Sequence, residues 1–285
     1  MGNEDKTSIN WYPGHMTKAR RMMEEEIKLI DVVIELLDAR APIATTNPDI
    51  GKIAANKPRV VILNKSDLAD YKANVEWVKY YKAQGAQAMI LDSRSREGLK
   101  NVKALIEEAT KEKRERDIKK GIIARPIRAM VAGIPNVGKS TFINAYSKKS
   151  SAATGNKPGV TKGKQWIKLG KDLELLDTPG ILWPKIEDRT MAEYLAYIGT
   201  INDNVIPITE VATNLIIFLC TNYQGALEDR YNIETNDDAY EVLKEIGAKT
   251  GCMKKGGDVD AEKASRTLLD DFRNGKLGRI TLQWP

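Results

Sequence analysis

The chain has 285 residues, 42% of them hydrophobic and 29% charged, which is enough for about two domains with ordinary cores. Only two cysteines are present and no apolar run reaches about 18 residues, which argues against a disulfide framework and against a transmembrane span. The net charge of +6 suits a polyanionic partner, although many basic proteins bind none.

The amino-terminal part of the chain alternates apolar strands with helices. Its start, MGNEDKTSINWYPGH, lacks the apolar core of a signal peptide, so we expect a cytoplasmic protein without a membrane partner. We predict helices over 17–30, 47–56, 72–84 and 97–120, and strands within 32–40, 59–67, 86–93 and 126–133, with short strands at 165–169 and 172–176. Strands that alternate with helices predict an α/β fold with a mostly parallel, doubly wound sheet.

The pattern changes near residue 186, where strand signals stop and helical spacing continues. We therefore predict two domains, a nucleotide-binding domain over 1–185 and an all-helical domain over 186–285. Two of the predicted helices carry start and stop signals, one from Asn236 to Gly247 and one from Asp260 to Gly275.

A glycine-rich segment, GIPNVGKST at 133–141, follows the strand at 126–133. It fits the pattern G-x-x-x-x-G-K-[ST], with a strand before it and a helix after it. Its backbone amides can cradle phosphate, Lys139 can neutralise the β- and γ-phosphates, and Ser140 can bind Mg²⁺. The predicted phosphate-binding residues are Asn136, Val137, Gly138, Lys139, Ser140 and Thr141.

The segment DTPG at 177–180 also follows a strand. Asp177 can hold Mg²⁺ through water, and the Gly180 amide can contact the γ-phosphate. Taken alone this signal is weak, because the same residues form ordinary turns. In the Ser-, Gly-, Lys- and Thr-rich loop at 150–164, Thr161 can complete the metal shell, with Thr154 as its rival.

The segment NKSD at 64–67 predicts a guanine site. The Asp67 carboxylate can accept hydrogen bonds from guanine N1 and N2, two donors that adenine lacks. Asn64 can support the base edge, the Lys65 stem can cover the ring face, and Ser66 completes the loop. The alternative is an ordinary turn after a strand.

Two further segments accompany this guanine site. Asp92 and Ser93, in DSR at 92–94, can add a backbone amide to guanine O6, although this signal is weak alone. Asp38 and Arg40, in the segment DAR, can simply pair and hold the end of their strand.

In nucleotide-binding proteins the phosphate segment usually comes before the base-reading segment. Here the order is reversed, since the phosphate segment follows NKSD by about seventy positions. In a parallel sheet, all loops at the carboxyl ends of the strands lie along one edge. Joining the old termini and cutting the chain elsewhere leaves that edge intact, and domain termini often lie close together. The order therefore predicts a circular permutation, with the helix at 97–120 carrying the new connection.

The order NKSD, DSR, GIPNVGKST, PGVT, DTPG resembles that of the circularly permuted GTPases. WYPGHMTKAR near the amino terminus and LLDARAP at 36–42 resemble the ribosome biogenesis GTPase A family over nearly the whole chain. The resemblance implies a cytoplasmic GTPase that cycles between GTP and GDP and assists late assembly of the large ribosomal subunit. It also implies contact with ribosomal RNA, and we expect a monomer.

Two residue roles follow from the resemblance. Similar GTPases with Asn at the position of Asn136 bind K⁺ beside the phosphates. Many GTPases orient water with Gln at the position of Ile181, which cannot do so. His15, the only histidine, would be a surface or capping residue by its position alone, and the resemblance of PGHM makes it the catalytic candidate. Pro13 and Gly14 predict a bent, exposed loop before it.

Two other functions compete with a GTPase that drives assembly. The first is an RNA-binding scaffold in which GTP is structural, a reading that Ile181 keeps open. The second is a metabolic P-loop kinase, which is disfavoured because NKSD would have no role in it.

Overall fold

The computed structural model of the protein describes residues 14–96, 98–122, 125–147, 165–182, 186 and 188–285, with the backbone alone for 14–16. The chain divides into two compact units. The first comprises Met1–Asp188 together with Gln283–Pro285, and the second comprises Arg189–Leu282.

The first unit is built on a six-stranded sheet with the strand order β3-β2-β1-β4-β6-β5. The strands are β1 (Val32–Asp38), β2 (Arg59–Asn64), β3 (Gln87–Leu91), β4 (Ile127–Ala132), β5 (Gln165–Leu169) and β6 (Leu173–Asp177). All neighbours pair in parallel except β5, which runs antiparallel to β6 at the edge of the sheet. The mostly parallel sheet predicted from the sequence is therefore confirmed.

The register of the sheet places the carboxyl ends of its strands side by side. Asp38 at the end of β1 is paired with Asn64 at the end of β2, and Asn64 is paired with Leu91 at the end of β3. On the other side of β4, Val131 is paired with Asp177. The loops that carry the motifs therefore leave the sheet at one edge.

Helices of the first unit connect and cover these strands. They are α1 (Gly14–Glu26), α2 (Pro42–Thr45), α3 (Pro48–Ile53), α4 (Tyr71–Ala83), α5 (Leu99–Lys119) and α6 (Lys139–Ser147). The helix predicted over 47–56 ends at Ile53, and α2 before it was not predicted from the sequence. Asn47 separates these two helices: its side chain accepts from Asp49 N and Pro48 occupies the first turn.

The loop predicted at Pro13 and Gly14 before His15 lies partly outside the described residues, because Pro13 is not among them. Helix α1 begins at Gly14 rather than at residue 17, so His15 lies in its first turn. The reason is that an amino-terminal turn tolerates Gly14, because the first amides of a helix need no partner within the helix.

The core of the first unit lies on both faces of the sheet. Strand β1 is buried along its whole length, as expected for a central parallel strand. Leu37 and Leu63 pack with Trp77 and Tyr81 of α4, all at most 2% exposed. Each such apolar side chain contributes about 1.5–3 kcal/mol by leaving water. This packing holds the carboxyl ends of β1 and β2 in place.

The second unit is helical, as predicted for the carboxyl-terminal part. Its helices are α7 (Arg189–Tyr197), α8 (Ile208–Asn222), α9 (Ala226–Tyr231), α10 (Ala239–Lys249) and α11 (Ala261–Arg273). Asp260 caps α11 by accepting from Lys263 N, at 3.1 Å, as its sequence position predicts.

The predicted limits of α10 are wrong at both ends. Asp238, not Asn236, caps this helix by accepting from Tyr240 N at 3.0 Å. Gly247 does not end it, because the helix continues to Lys249. A Cβ at Gly247 would lie 2.4 Å from Val259 Cγ1, so this glycine allows close packing rather than a stop.

None of the described helices combines the length and the apolar character that a bilayer crossing requires.

Candidate functional site

Asn64 joins three of the predicted motifs by direct hydrogen bonds. Its Nδ2 donates to Val137 O at 2.8 Å, in the phosphate segment. Its Oδ1 accepts from Ser93 Oγ at 2.8 Å and from Ser93 N at 3.2 Å, in the segment DSR. Asn64 is only 2% exposed, so these bonds form away from water. The reversed motif order therefore still produces one continuous edge.

Gly138 permits this junction. A Cβ at this position would lie 2.3 Å from Asn64 Nδ2, and the backbone has φ +95, a conformation that favours glycine. The glycine pattern thus serves the contact between the two loops as well as the approach of a phosphate.

Lys139 begins α6 and is buried. Its Nζ donates to Gly133 O at 3.0 Å and to Ile134 O at 2.9 Å, so the ammonium lies inside the curve of the phosphate segment. Burial lowers the pKa of Lys139 to about 8, while the Asp177 charge opposes this effect. The amides of Ser140 and Thr141 lie in the first turn of the helix, where anions are favoured.

Asp177 ends β6 as a buried acid. Among the described residues neither of its carboxylate oxygens has a hydrogen-bond partner. Burial raises its pKa to about 6, although Lys139 opposes the rise. Such a carboxylate suits a site that gains a cation with its bound water. Thr161 and its rival Thr154 lie outside the described residues.

The segment after Asp177 lies against the phosphate loop. Thr178 Oγ1 donates to Val131 O at 2.8 Å. A Cβ at Gly180 would lie 2.8 Å from Lys139 Nζ and 2.9 Å from Pro135 N, so only glycine fits there. Gly180 therefore lies close to Lys139, while its contact with a γ-phosphate stays a prediction.

Ile181 is 2% exposed, and its carbonyl accepts from Asn47 Nδ2 at 2.8 Å. A buried apolar side chain cannot orient an attacking water. Sequence reasoning did not find Asn47 as a holder of this segment. The available signal, Asn before Pro48, predicts a helix cap and nothing about a residue 134 positions away.

The NKSD segment at 64–67, named the guanine-reading loop for its predicted role, contains a left-handed residue, and neighbouring groups support its backbone. Lys65 has φ 57, a left-handed conformation, and Ser66 begins a short 3₁₀ turn. Asn74 of α4, which sequence reasoning also missed, donates through Nδ2 to Ser66 O at 3.0 Å. Burial raises the pKa of Asp67, and the Asp92 charge adds to the rise. A base that donates two hydrogen bonds would favour its charged form.

Two backbone amides of the DSR segment donate to side-chain oxygens. Asp92 Oδ1 accepts from Arg94 N at 2.8 Å, and Ser93 N donates to Asn64. Asp92 therefore stabilises the turn. An amide donor to guanine O6 from this segment stays a prediction.

Asp38 and Arg40 pair at the end of β1, as the sequence indicates. Arg40 Nε donates to Asp38 Oδ1 at 2.9 Å and Arg40 Nη2 donates to Oδ2 at 2.8 Å. Lys65 Nζ lies 2.9 Å from the same Oδ2. Asp38 and Arg40 are at most 1% exposed. The guanine-reading loop is thus connected to the DAR segment through a buried carboxylate.

Comparison with known proteins gives matches over nearly the full length. The chain is 46% identical to "Ribosome biogenesis GTPase A" of Bacillus cereus over 278 residues, covering 97% of this chain and 94% of that protein. It is 32% identical to the protein of the same name from Thermotoga maritima, covering 97% of this chain and 95% of that protein. The family model described as "50S ribosome-binding GTPase" matches residues 128–250.

A solved structure described as GNP-bound YlqF from T. maritima superposes with a TM-score of 0.66 at 29% identity. It covers 94% of this chain and 98% of that one. A GDP-bound structure of the same protein gives a TM-score of 0.67 at 28% identity, covering 93% of this chain and 99% of that one. With the fold and the joined motif segments described above, these similarities show that the chain belongs to the ribosome biogenesis GTPase A family and is a GTP-binding, GTP-hydrolysing protein.

Proposed function

We propose that this GTPase acts in late assembly of the large ribosomal subunit, in the cytoplasm and as a monomer, and that it contacts ribosomal RNA. The observation that carries the GTP-binding part of the proposal is the junction at Asn64, whose side chain is hydrogen-bonded to the phosphate segment and to the DSR segment. The names of the relatives and the net charge of +6 support a ribosomal partner.

Guanine recognition belongs to the NKSD and DSR segments in this proposal, and phosphate binding to the segment around Lys139. Asp67 accepts from the base, while the amides that begin α6 bind the phosphates. The proposed nucleotide-binding residues are Asn64, Lys65, Ser66, Asp67, Asp92, Ser93, Asn136, Val137, Gly138, Lys139, Ser140, Thr141 and Gly180.

Ser140 and Asp177 would hold Mg²⁺, with Thr161 completing the shell, and the ion would neutralise phosphate charge. The two oxygens of Asp177 that lack partners among the described residues support this assignment.

Asn136, whose backbone has φ 64 in the phosphate segment, is the proposed K⁺ ligand. Equal GTP turnover in K⁺ and in Na⁺ would contradict the K⁺ assignment.

The segment at 177–182 would change with the nucleotide. Gly180 lies against Lys139, and Ile181 is held by Asn47, so a γ-phosphate that reaches Lys139 must adjust this packing. The chain then leaves the first unit at Asp188. We expect hydrolysis to release these contacts and thereby to weaken the grip on RNA.

Metal-dependent nucleotide binding should depend on pH through Asp177. Its pKa of about 6 means that the carboxyl group is protonated below that value and charged above it. The gain in GDP affinity on adding Mg²⁺ should therefore be small at pH 5 and grow as the pH rises through about 6. Titrations of GDP with and without Mg²⁺ at several pH values measure it.

The control is Asp177→Asn, in which the Mg²⁺ effect should be weak at every pH. A wild-type Mg²⁺ effect that is the same at pH 5 and pH 8 would contradict the role of Asp177.

Association with the large ribosomal subunit should be electrostatic and should depend on the nucleotide. The affinity should fall with salt, with a log–log slope of about 0.7–0.9 for each phosphate that the protein neutralises. Binding should be tight with a non-hydrolysable GTP analogue and weaker with GDP. Co-sedimentation at several salt concentrations measures both effects, with small subunits as the control.

Affinities that do not change with salt would remove the electrostatic argument. Equal affinities in the two nucleotide states would favour a scaffold in which GTP is structural.

A further inference from the structure

The end of β1 lies next to the guanine-reading loop. The charged side chains there, Asp38 and Arg40, are almost completely withdrawn from water. Asp38 is 0% exposed and Arg40 is 1% exposed. A buried ion pair of this kind stabilises a fold only weakly, since both ions lose their hydration. Its geometry toward Lys65 suggests a different purpose.

We infer that Asp38 and Arg40 are positioning residues for guanine recognition, which act through Lys65, and that Gln283, near the end of the chain, holds the segment that carries them. The inference rests on the proposed function, in which Lys65 and Asp67 read the base.

Arg40 fixes the plane of the Asp38 carboxylate. It donates to both oxygens through its side chain, at 2.9 and 2.8 Å, and its own amide donates to Oδ1 at 3.1 Å. Asp38 N in turn donates to Thr45 Oγ1 at 3.1 Å. A planar guanidinium that binds in this forked manner leaves one orientation for the carboxylate. Oδ2 consequently faces Lys65.

Lys65 needs such a partner. Its stem is flexible, and its backbone is held in the left-handed region with φ 57. The 2.9 Å contact between Nζ and Asp38 Oδ2 ties the end of the side chain to the strand below. Burial lowers the pKa of Lys65, whereas the Asp38 charge raises it and so helps to keep the ammonium charged. The contact with Asp38 therefore restricts the positions that the flexible stem can take.

Burial alone would also raise the pKa of Asp38, but the adjacent Arg40 and Lys65 charges hold it well below its usual range. The carboxylate is therefore ionised throughout the physiological range.

Gln283 makes three hydrogen bonds around the segment that follows β1. Its backbone amide donates to Arg40 O at 3.3 Å, and its backbone carbonyl accepts from Trp77 Nε1 at 2.8 Å. Its side-chain Oε1 accepts from Ala44 N at 2.9 Å. Trp77 belongs to α4, which begins directly after the guanine-reading loop. The last residues of the chain thereby connect the DAR segment to the helix behind that loop.

This arrangement concerns the base and not the phosphates. GTP and GDP share the same base, so disturbing Lys65 should weaken both nucleotides by the same factor. The turnover of saturated protein should change little, because the phosphate-binding loop and its lysine are untouched. A purely structural role would lower stability without this equal loss of both affinities.

The test is Asp38→Asn, which preserves shape and removes the charge. We expect the dissociation constants of GTP and GDP to rise together by about ten- to a hundredfold, the usual effect of losing a hydrogen bond to a charged group. Nucleotide titration by calorimetry measures both constants, and the turnover of saturated protein should stay within about twofold.

The matched control is Asp31→Asn, just before the other end of the same strand. Asp31 is also buried, and it pairs with Arg125 at 2.7 and 2.8 Å and with Lys113. The Asp31→Asn variant should lose comparable stability in thermal melts but keep its nucleotide affinity. Equal losses of affinity in the two variants would overturn the inference.

A double-mutant cycle identifies the route of the effect. Because Asp38 acts through Lys65, Asp38→Asn should add little once Lys65→Met is present. Fully additive losses of affinity would overturn the inference while leaving the proposed guanine site in place.

Gln283→Ala is a gentler variant that keeps the ion pair. It should raise both dissociation constants by about two- to fivefold, consistent with one neutral hydrogen bond. Unchanged constants would remove Gln283 from the inference. Failure of the proposed guanine site has a separate sign, because wild-type protein would then bind ATP as well as GTP.

Discussion

Asp67→Asn is expected to exchange the base preference of the protein from guanine to xanthine. In the proposed site the carboxylate of Asp67 accepts from guanine N1 and N2, whereas an amide could donate to the O2 oxygen of xanthine. We expect the affinity for GTP to fall by about 10²–10⁴, the loss of two hydrogen bonds to a charged acceptor. The affinity for xanthosine triphosphate should rise. Competition titrations with both nucleotides measure the exchange.

The matched control is Asp70→Asn, the same substitution three positions along the chain. Asp70 caps α4 by accepting from Lys72 N at 2.7 Å, so its exchange should leave nucleotide selectivity unchanged. In the wild type we expect discrimination against ATP of about 10⁴ or more, since adenine would leave the Asp67 charge unpaired. Competition by ATP at concentrations similar to those of GTP would refute the guanine site.

His15→Ala is expected to slow hydrolysis on ribosomal subunits by about 10²–10⁴, the usual share of a general base. Ile181 is buried and its side chain is apolar, so that side chain supplies no hydrogen bond to water. The chain has one imidazole, which in its neutral form can accept a proton near pH 7. Because phosphoryl transfer depends on positioning, nucleotide affinity should be nearly unchanged. Single-turnover rates on large subunits measure the effect.

Lys18→Ala is the control in the same helix, since Lys18 is exposed and should tolerate the change. Wild-type rates for His15→Ala on ribosomal subunits would assign the catalytic group to another residue. Helix α1 begins at Gly14 and therefore includes His15.

The sheet and its functional edge could be predicted from the sequence because both depend on local patterns. Continuous apolar runs mark strands that are buried on both faces, as β1 shows. The parallel arrangement then places NKSD and the phosphate segment at one edge, whatever their order along the chain. The hydrogen bond from Asn64 to Val137 is the consequence of that topology.

Other features could not be predicted because they depend on contacts between distant residues. Asn47 resembles an ordinary helix cap, yet it also holds Ile181. Gln283 lies 206 positions from Trp77, and nothing in its local sequence indicates their contact. Gly247 reads as a stop signal, whereas the packing of Val259 requires a glycine inside the helix. In each case tertiary packing overrides a local rule.

The most direct test of the account is the rate of GTP hydrolysis by the wild-type protein with and without large ribosomal subunits. A GTPase that acts in assembly of that subunit should hydrolyse GTP slowly alone, because the apolar side chain of Ile181 cannot orient a water. Its rate should rise when large subunits are added. Small subunits should have no such effect. Equal rates with and without large subunits would contradict the account and favour a scaffold in which GTP is structural.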